Sequence, residues 1–213
     1  MNLAWVFNIV ADIYAWFTAQ AAWRASCARL ADELTVIDPQ LVVDLGCGPG
    51  VSTFELARLL PRARLVGLDI APRMLRQARR RAPRQLRLDW LRADAARLPF
   101  PDASVAACTG HSFLYLVHDR TSVLREIRRV LRPGGRLVLM EPNARGTSPA
   151  AVLAVSRDPR HLLSVSLWRP FSRLHGRFTP ESLALTLTEV GFVNCHIEET
   201  LGGLGLLANA MAS

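Results

Sequence analysis

Leu41-Val42-Val43-Asp44-Leu45, followed at once by Gly46-Cys47-Gly48-Pro49-Gly50, constrains this chain more than any other segment. A short apolar run between Asp38-Pro39 and a glycine cluster reads as a buried strand entering a tight turn. Ser52 to Leu60 then carries helical spacing and stops at Pro61. Strand, glycine turn and helix form the opening unit of a parallel α/β sheet, and the pattern repeats. Leu65 to Ile70 reads as a second buried strand, and Pro72 to Arg81 as a basic helix ended by Pro83. Leu86 to Ala93, with Leu86, Leu88 and Trp90 on one face, gives a third strand, and Val105 to Gly110 a fourth. Thr121 to Leu131 is a helix with Leu124, Ile127, Val130 and Leu131 on one face. Arg132-Pro133-Gly134-Gly135 is a turn before a fifth strand, Arg136 to Glu141. Such an order implies right-handed crossovers.

Helical and mixed segments flank this alternation. Met1 to Leu34 lacks Gly and Pro and reads as one or two helices, rich in aromatics at Trp5, Phe7, Tyr14, Trp16 and Phe17. Asn143 to Arg177 mixes Arg157, Arg160, Arg169, Arg173 and Arg177 with Leu162, Leu163, Val165, Leu167, Trp168 and Phe171. Thr179-Pro180-Glu181 has the chemistry of a helix start, and Gly191 ends that helix. Phe192 to Glu199 and Gly203 to Ala210 read as a final pair of strands.

With 213 residues, half of them apolar, the chain can bury one sizeable core, and disorder is excluded. The net charge is +8, and every basic residue is arginine. Arginine-rich codon usage accounts for that bias; an anionic partner, either nucleic acid or an acidic membrane surface, is the alternative. Cys27, Cys47, Cys108 and Cys195 form no C-x-x-C pair and no zinc spacing, so no metal is expected. The N-terminus lacks a basic n-region, and no uncharged apolar run reaches spanning length, which reads as cytoplasmic.

The glycines after the first strand let the backbone turn sharply and bring a ligand close to the main chain. Asp69 ends the second strand nineteen residues past Gly50, where an acidic side chain can accept bonds from ribose hydroxyls. Two features oppose a dinucleotide. The spacing is G-x-G-x-G, and Pro49 removes a backbone donor that a pyrophosphate would use. A cofactor with adenosine and ribose but no phosphate fits better.

Asp44 to Gly50 resembles motif I of the class I S-adenosylmethionine-dependent methyltransferases. Asp69 matches the family's ribose-holding acid, Ala93-Asp94-Ala95 with Leu98-Pro99-Phe100 its adenine-contacting segment, and Leu131 to Gly135 its turn before the fifth strand. The resemblance covers roughly residues 38 to 142 and weakens towards the C-terminus. It implies a Rossmann-like α/β fold, a mostly parallel seven-stranded sheet flanked by helices, with residues 1–37 as a helical cover and 38–142 as the cofactor-binding core. Residues 143–178 would be a cap insertion and 179–213 a closing helix and strand pair. It further implies S-adenosyl-L-methionine as cofactor, held by Tyr14, Asp44, Gly46, Cys47, Gly48, Asp69, Ile70, Asp94, Ala95, His111 and Ser112.

Several of these positions have a second reading. Asp44 either ties the glycine loop or lies near the sulfonium, Asp94 either meets the adenine or caps the next helix, and Cys47 suits packing better than reactivity. Tyr14 either closes over the cofactor or is a core aromatic. The catalytic candidates are His111 and Tyr115, just beyond the fourth strand. His111 is either a general base or a packing partner of the cofactor's amino-acid end; His118, beside Asp119, reads as a solvated helix start.

The family's Asn/Asp-Pro-Pro-aromatic motif of nucleic-acid and amine methylation is missing, since Thr109-Gly110-His111-Ser112 stands there. The whole arrangement resembles the ubiquinone/menaquinone-biosynthesis and phospholipid methyltransferase branch. That implies a small-molecule or lipid acceptor and peripheral contact with an anionic membrane. An RNA- or protein-directed methyltransferase using the basic surface, and a non-catalytic cofactor-binding partner, are the competing readings.

Overall fold

The computed structural model describes residues 3–213; Met1, where the sequence reading began its first helix, lies outside them, as do the side chains of Trp5 and Phe7. Seven strands form one sheet in the order β3-β2-β1-β4-β5-β7-β6. The central strand β1 (Leu41–Leu45) pairs in parallel with β2 (Arg64–Asp69) on one side and β4 (Val105–His111) on the other. Both faces of these strands are covered, which is why they read as continuous apolar runs rather than alternations. β3 (Leu88–Arg92) and β5 (Leu131–Pro142) extend the parallel part outward, and β7 (Gly205–Ala212) and β6 (Phe192–Thr200) close the sheet in antiparallel pairings.

Helices α3 (Val51–Leu59), α4 (Pro72–Arg81) and α5 (Arg120–Val130) are the crossovers. Their faces follow from spacing. α5 buries Val123, Leu124, Ile127 and Val130 against the sheet, each worth roughly 1.5–3 kcal/mol. α8 (Pro180–Glu189) begins where the sequence suggested: Thr179 and Ser182 exchange side-chain and backbone bonds in a capping box, with Pro180 in the first turn. The third strand is shorter than expected, since Leu86 lies outside it. The Arg132–Gly135 turn is absorbed into β5, where Leu131 pairs with Val105 and the register then shifts.

The N-terminal segment forms two helices, α1 (Leu3–Thr18) and α2 (Ala21–Asp32), and the insertion forms α6 (Pro149–Val155) and α7 (Pro159–His175). No helix among the described residues is long and apolar enough to cross a membrane. Chain order runs outward from β1 to β3, then jumps back to β4 beside β1. The crevice beyond the carboxyl ends of β1 and β4 is therefore the switch point, where sheets of this kind receive ligands.

Candidate functional site

Register brings the two halves of the switch point together. Asp44 lies opposite Thr109 and Leu45 opposite Gly110, so the glycine loop and His111 leave the sheet side by side. The loop is closed by Gly50 N donating to Cys47 O at 3.0 Å, and by Cys47 N donating to Leu68 O at 3.0 Å. Gly46 and Gly48 have φ of +62° and +53°. At Gly46 a Cβ would also lie 2.6 Å from the Phe113 ring, so only glycine fits.

Asp44 is fully buried beneath this loop. Its Oδ2 accepts from Ser52 and Thr53 hydroxyls at 2.6 Å each, and its Oδ1 accepts from Thr109 at 3.0 Å. Burial pushes its carboxyl up, against the pull of those three hydroxyls. Asp69 stands at the end of β2: Oδ2 accepts from Gly48 N at 2.9 Å and Oδ1 from Ala71 N at 2.7 Å. Ile70 beside it is exposed. Asp94 is exposed at the end of β3, where its Oδ1 accepts from Ala96 N at 2.9 Å, and Ala95 is buried next to it.

Two cavities meet at His111. The smaller, about 250 Å³, is walled by Gly46, Cys47, Gly48, Pro49, Val51 and Ser52, with Tyr14 and Thr18 of α1, Trp23 of α2, and His111. Tyr14 faces Gly48 across it: a Cβ added at Gly48 would sit 3.6 Å from the Tyr14 ring. Burial first, then the nearby Cys27 and Asp69, pushes the Tyr14 phenol upward, so it stays protonated. No arginine stands in this wall, and the Asp69 carboxylate accepts from the glycine loop at Gly48 N. Without an arginine, that wall suits a ligand with hydroxyls and a positive centre better than a phosphate.

The larger cavity, about 500 Å³, lies on the other side of His111, beneath α7. Its wall includes Gln20, Trp23, Ser26, Ser112, Met140, Glu141, His161, Ser164, Val165, Trp168, Leu201 and Leu204. The His111 ring packs on Trp23 with centroids 4.4 Å apart. Ser26 Oγ lies 2.7 Å from Trp23 O and 2.8 Å from His111 Nε2. Where the serine gives its proton to the Trp23 carbonyl it accepts from Nε2–H, and in that tautomer Nδ1 carries the lone pair. Nδ1 is buried and has no partner among the described residues. Burial pushes the imidazole down to about 4, so it is neutral at pH 7.

Tyr115 is not brought to either wall. It sits on the 3-10 turn Leu114–Leu116, its ring edge-on to Phe171, with its phenol pushed up by burial. Ser112 lines the larger cavity with φ +53° and donates its N–H to Met140 O at 2.7 Å. Cys47 is buried with its thiol pushed up, which makes it a packing residue, and His118 is exposed next to the α5 cap Asp119.

Glu141, read from sequence only as the end of a strand, is the buried carboxyl of this site. Oε1 accepts from the N–H groups of Phe113 at 3.0 Å and Leu114 at 2.7 Å, and Oε2 from that of Tyr115 at 3.0 Å. Burial outweighs these donors and pushes it up to about 7. Between pH 4.5 and 7 the folded state keeps a proton that the unfolded chain has released, so the contribution of Glu141 to stability falls as pH rises through that window. His111 acts oppositely: below pH 6.5 the unfolded chain takes up a proton that the folded state refuses until about 4, so its contribution falls as pH drops. Glu141→Gln should leave the His111 slope unopposed. We expect the urea midpoint of the variant to fall more steeply from pH 6.5 to 4 than that of the wild type. Equal slopes would mean that Glu141 is ionised throughout in the folded protein.

Residues 42–135 match the family model described as a methyltransferase domain. The demethylmenaquinone methyltransferase of Deinococcus radiodurans is 41% identical over 120 residues, covering 56% of this chain and 48% of that protein. The trans-aconitate 2-methyltransferase of Azoarcus is also 41% identical over 120 residues, covering 56% and 46%. The chain thus spans about half the length of these curated relatives. Among solved structures, a SAM-dependent methyltransferase from Aquifex aeolicus superposes with a TM-score of 0.63 at 16% identity over 82% of each chain, a likeness of fold.

Proposed function

We propose that the chain carries a class I, S-adenosylmethionine-dependent methyltransferase domain, as the match of residues 42–135 to a methyltransferase domain supports, and that it moves a methyl group to a small or lipid-like acceptor of the quinone or phospholipid kind. The observation that carries this reading is His111 standing in the wall of both cavities, so that one imidazole would face a cofactor in the smaller and an acceptor in the larger. On this reading residues 38–142 are the cofactor core, 1–37 and 143–178 the covers, and 179–213 the closing helix and strand pair.

Gly46, Cys47 and Gly48 would bring the main chain against the cofactor, Asp69 would accept from its ribose hydroxyls, and Tyr14 would lie over it. Ile70, Asp94, Ala95 and Ser112 would complete the rim, with Asp44 holding the loop from below. When bound, the cofactor supplies an electrophilic methyl group on a sulfonium. The chain supplies alignment and exclusion of water, an effect worth up to roughly 7–11 kcal/mol in such reactions. For a hydroxyl or activated-carbon acceptor, neutral His111 offers the Nδ1 lone pair without first losing a proton. We expect His111→Ala to slow turnover about a hundredfold or more while the Kd for S-adenosylhomocysteine, read by calorimetry, changes less than about threefold. An unchanged rate removes His111 as the base.

The acceptor would enter from the cap side. α1 and α7 touch, and they expose Ile9, Ile13 and Trp16 on one helix and Leu163, Leu167 and Leu174 on the other, with Arg160 and Arg173 exposed among the leucines. Apolar side chains flanked by arginines suit the surface of an anionic bilayer. Incubation with radiolabelled S-adenosylmethionine and separated lipid, RNA and protein fractions, with and without anionic vesicles, tests the whole reading. Label in the lipid fraction, increased by vesicles, is the expected result. Label in RNA or protein would replace it with a polymer-directed enzyme.

A further inference from the structure

Glu141 is fully buried at the carboxyl end of β5, and the chemistry proposed above leaves it without a part. Its partners are three consecutive backbone amides. Oε1 serves Phe113 N and Leu114 N, and Oε2 serves Tyr115 N. Those amides converge because the chain reverses directly after His111. Ser112 has φ +53°, in the left-handed region, and Phe113 returns to φ −114°, ψ −57°. Successive N–H groups in left- and right-handed conformations form a concave nest for an anion. Here the anion is a side chain from the neighbouring strand. A left-handed serine is strained and persists only where its surroundings over-determine it. The carboxylate, with the bond from Ser112 N to Met140 O, holds the turn from the β5 side, and Arg120 holds it from α5 by donating to Tyr115 O at 3.3 Å.

What this turn carries is the Phe113 ring, and the ring lies against two glycines at once. A Cβ would meet it at 2.6 Å on Gly46 and at 3.1 Å on Gly110. Gly46 opens the glycine loop, Gly110 precedes His111, and the two strands that deliver them are paired, with Leu45 opposite Gly110. Phe113 is therefore a wedge between the cofactor loop and the strand that presents His111. Close-packed interiors pass a shift of one group on to its neighbours. Neither Phe113 nor Glu141 lines the smaller cavity, so either would reach a bound cofactor only through Gly46.

We propose that Glu141 is a positioning residue for methyl transfer: its carboxylate holds the turn after β4, and the turn presses Phe113 onto Gly46 and so sets the cofactor loop against His111. This rests on the reading of the smaller cavity as the cofactor site. Three amides need both oxygens as acceptors. A carboxamide at this position keeps one acceptor and turns the other atom into a donor facing an N–H. Burial pushes the Glu141 carboxyl up to about 7, so at pH 8 the carboxylate prevails and the nest is fully occupied.

The test compares the full chain at pH 8 with Glu141→Gln, Phe113→Leu and the double variant. Calorimetry reads the Kd for S-adenosylhomocysteine. Hydrogen exchange of the free protein reads the protection of residues 46–50, where the amides of Cys47, Gly48 and Gly50 are bonded. We expect each single variant to weaken S-adenosylhomocysteine binding about fivefold to tenfold. Exchange at 46–50 should quicken in both, while α8, packed on β6 and β7, exchanges as in the wild type. Because both changes act through one ring, the double variant should lose no more than about twofold beyond the worse single one. A purely structural role would lower the urea midpoint and leave the Kd and the exchange at 46–50 unchanged, and that result overturns the proposal. So does a double variant whose loss is the product of the two single losses. If Glu141→Gln does not fold, an unchanged Kd and unchanged exchange in Phe113→Leu overturn it alone. Failure of the wild type to bind S-adenosylhomocysteine would instead sink the methyl-transfer reading, and the exchange at 46–50 would still decide this one.

Discussion

Asp69→Asn is expected to weaken S-adenosylhomocysteine binding about a hundredfold. The carboxylate has room for about four hydrogen bonds, and two are taken by Gly48 N and Ala71 N. The remaining two lone-pair sites would serve the ribose hydroxyls. Asparagine replaces one oxygen with an amide NH2, which must face either Gly48 N–H or Ala71 N–H, donor against donor. The loop is then pushed from its position, and the ribose loses charge-assisted bonds worth about 1.5 kcal/mol or more each. Two such bonds amount to roughly two decades of affinity. Calorimetric titration of the variant decides it. A Kd within threefold of wild type would show that the cofactor is held elsewhere.

The largest loss of stability is expected from Asp44→Ala. Three buried hydroxyls, on Ser52, Thr53 and Thr109, lose their common acceptor at once. Removing one member of a buried, fully paired polar cluster costs about 3–5 kcal/mol, a large share of the roughly 5–15 kcal/mol that holds a domain together. We expect this variant to unfold at a much lower urea concentration or to be recovered only as aggregate. Asp44→Asn should be far milder, because its remaining oxygen still accepts from Ser52 and Thr53 while its NH2 donates to Thr109 Oγ. Equal damage from both substitutions would mean that the negative charge, rather than the acceptor geometry, is what the hydroxyls require.

The course of the backbone is largely legible in the amino-acid sequence alone. β1, its glycine loop, α4 and the capped start of α8 lie within a residue of where residue spacing put them, because each is bounded by a proline, a glycine or a capping side chain whose effect is local. The cofactor loop was legible for the same reason. The function of Asp44 was not, since its partners sit on the following helix and on β4, and only the parallel register reveals that Thr109 lies opposite. Tyr115 was expected at the reaction centre. It lines neither cavity but sits behind Trp168, on a 3-10 turn after β4 whose amides are gathered by Glu141. Gln20, Ser26 and His161 gave no signal in the sequence, and Trp168 stood out only as an aromatic of the arginine-rich insertion. They come from the α1–α2 turn, α2 and α7 and converge only through packing, and His161 sits among arginines that disguised its helix face as plain basic surface.

The chain leaves the sheet after Pro142 and returns at Phe178, and those two points are tied together. Phe178 N donates to Pro142 O at 3.1 Å, Ala144 N donates to Phe178 O at 2.7 Å, and Arg120 donates to the carbonyls of His175 and Gly176 while lying over the Phe178 ring. Everything between them, α6 and α7 with the residues that line the larger cavity from above, begins and ends at one clasp and contributes no strand to the sheet. Such a segment is a cassette. It can be lengthened, shortened or exchanged between homologous enzymes without altering the seven-strand register, so the choice of acceptor can diverge while the glycine loop and Asp69 stay as they are.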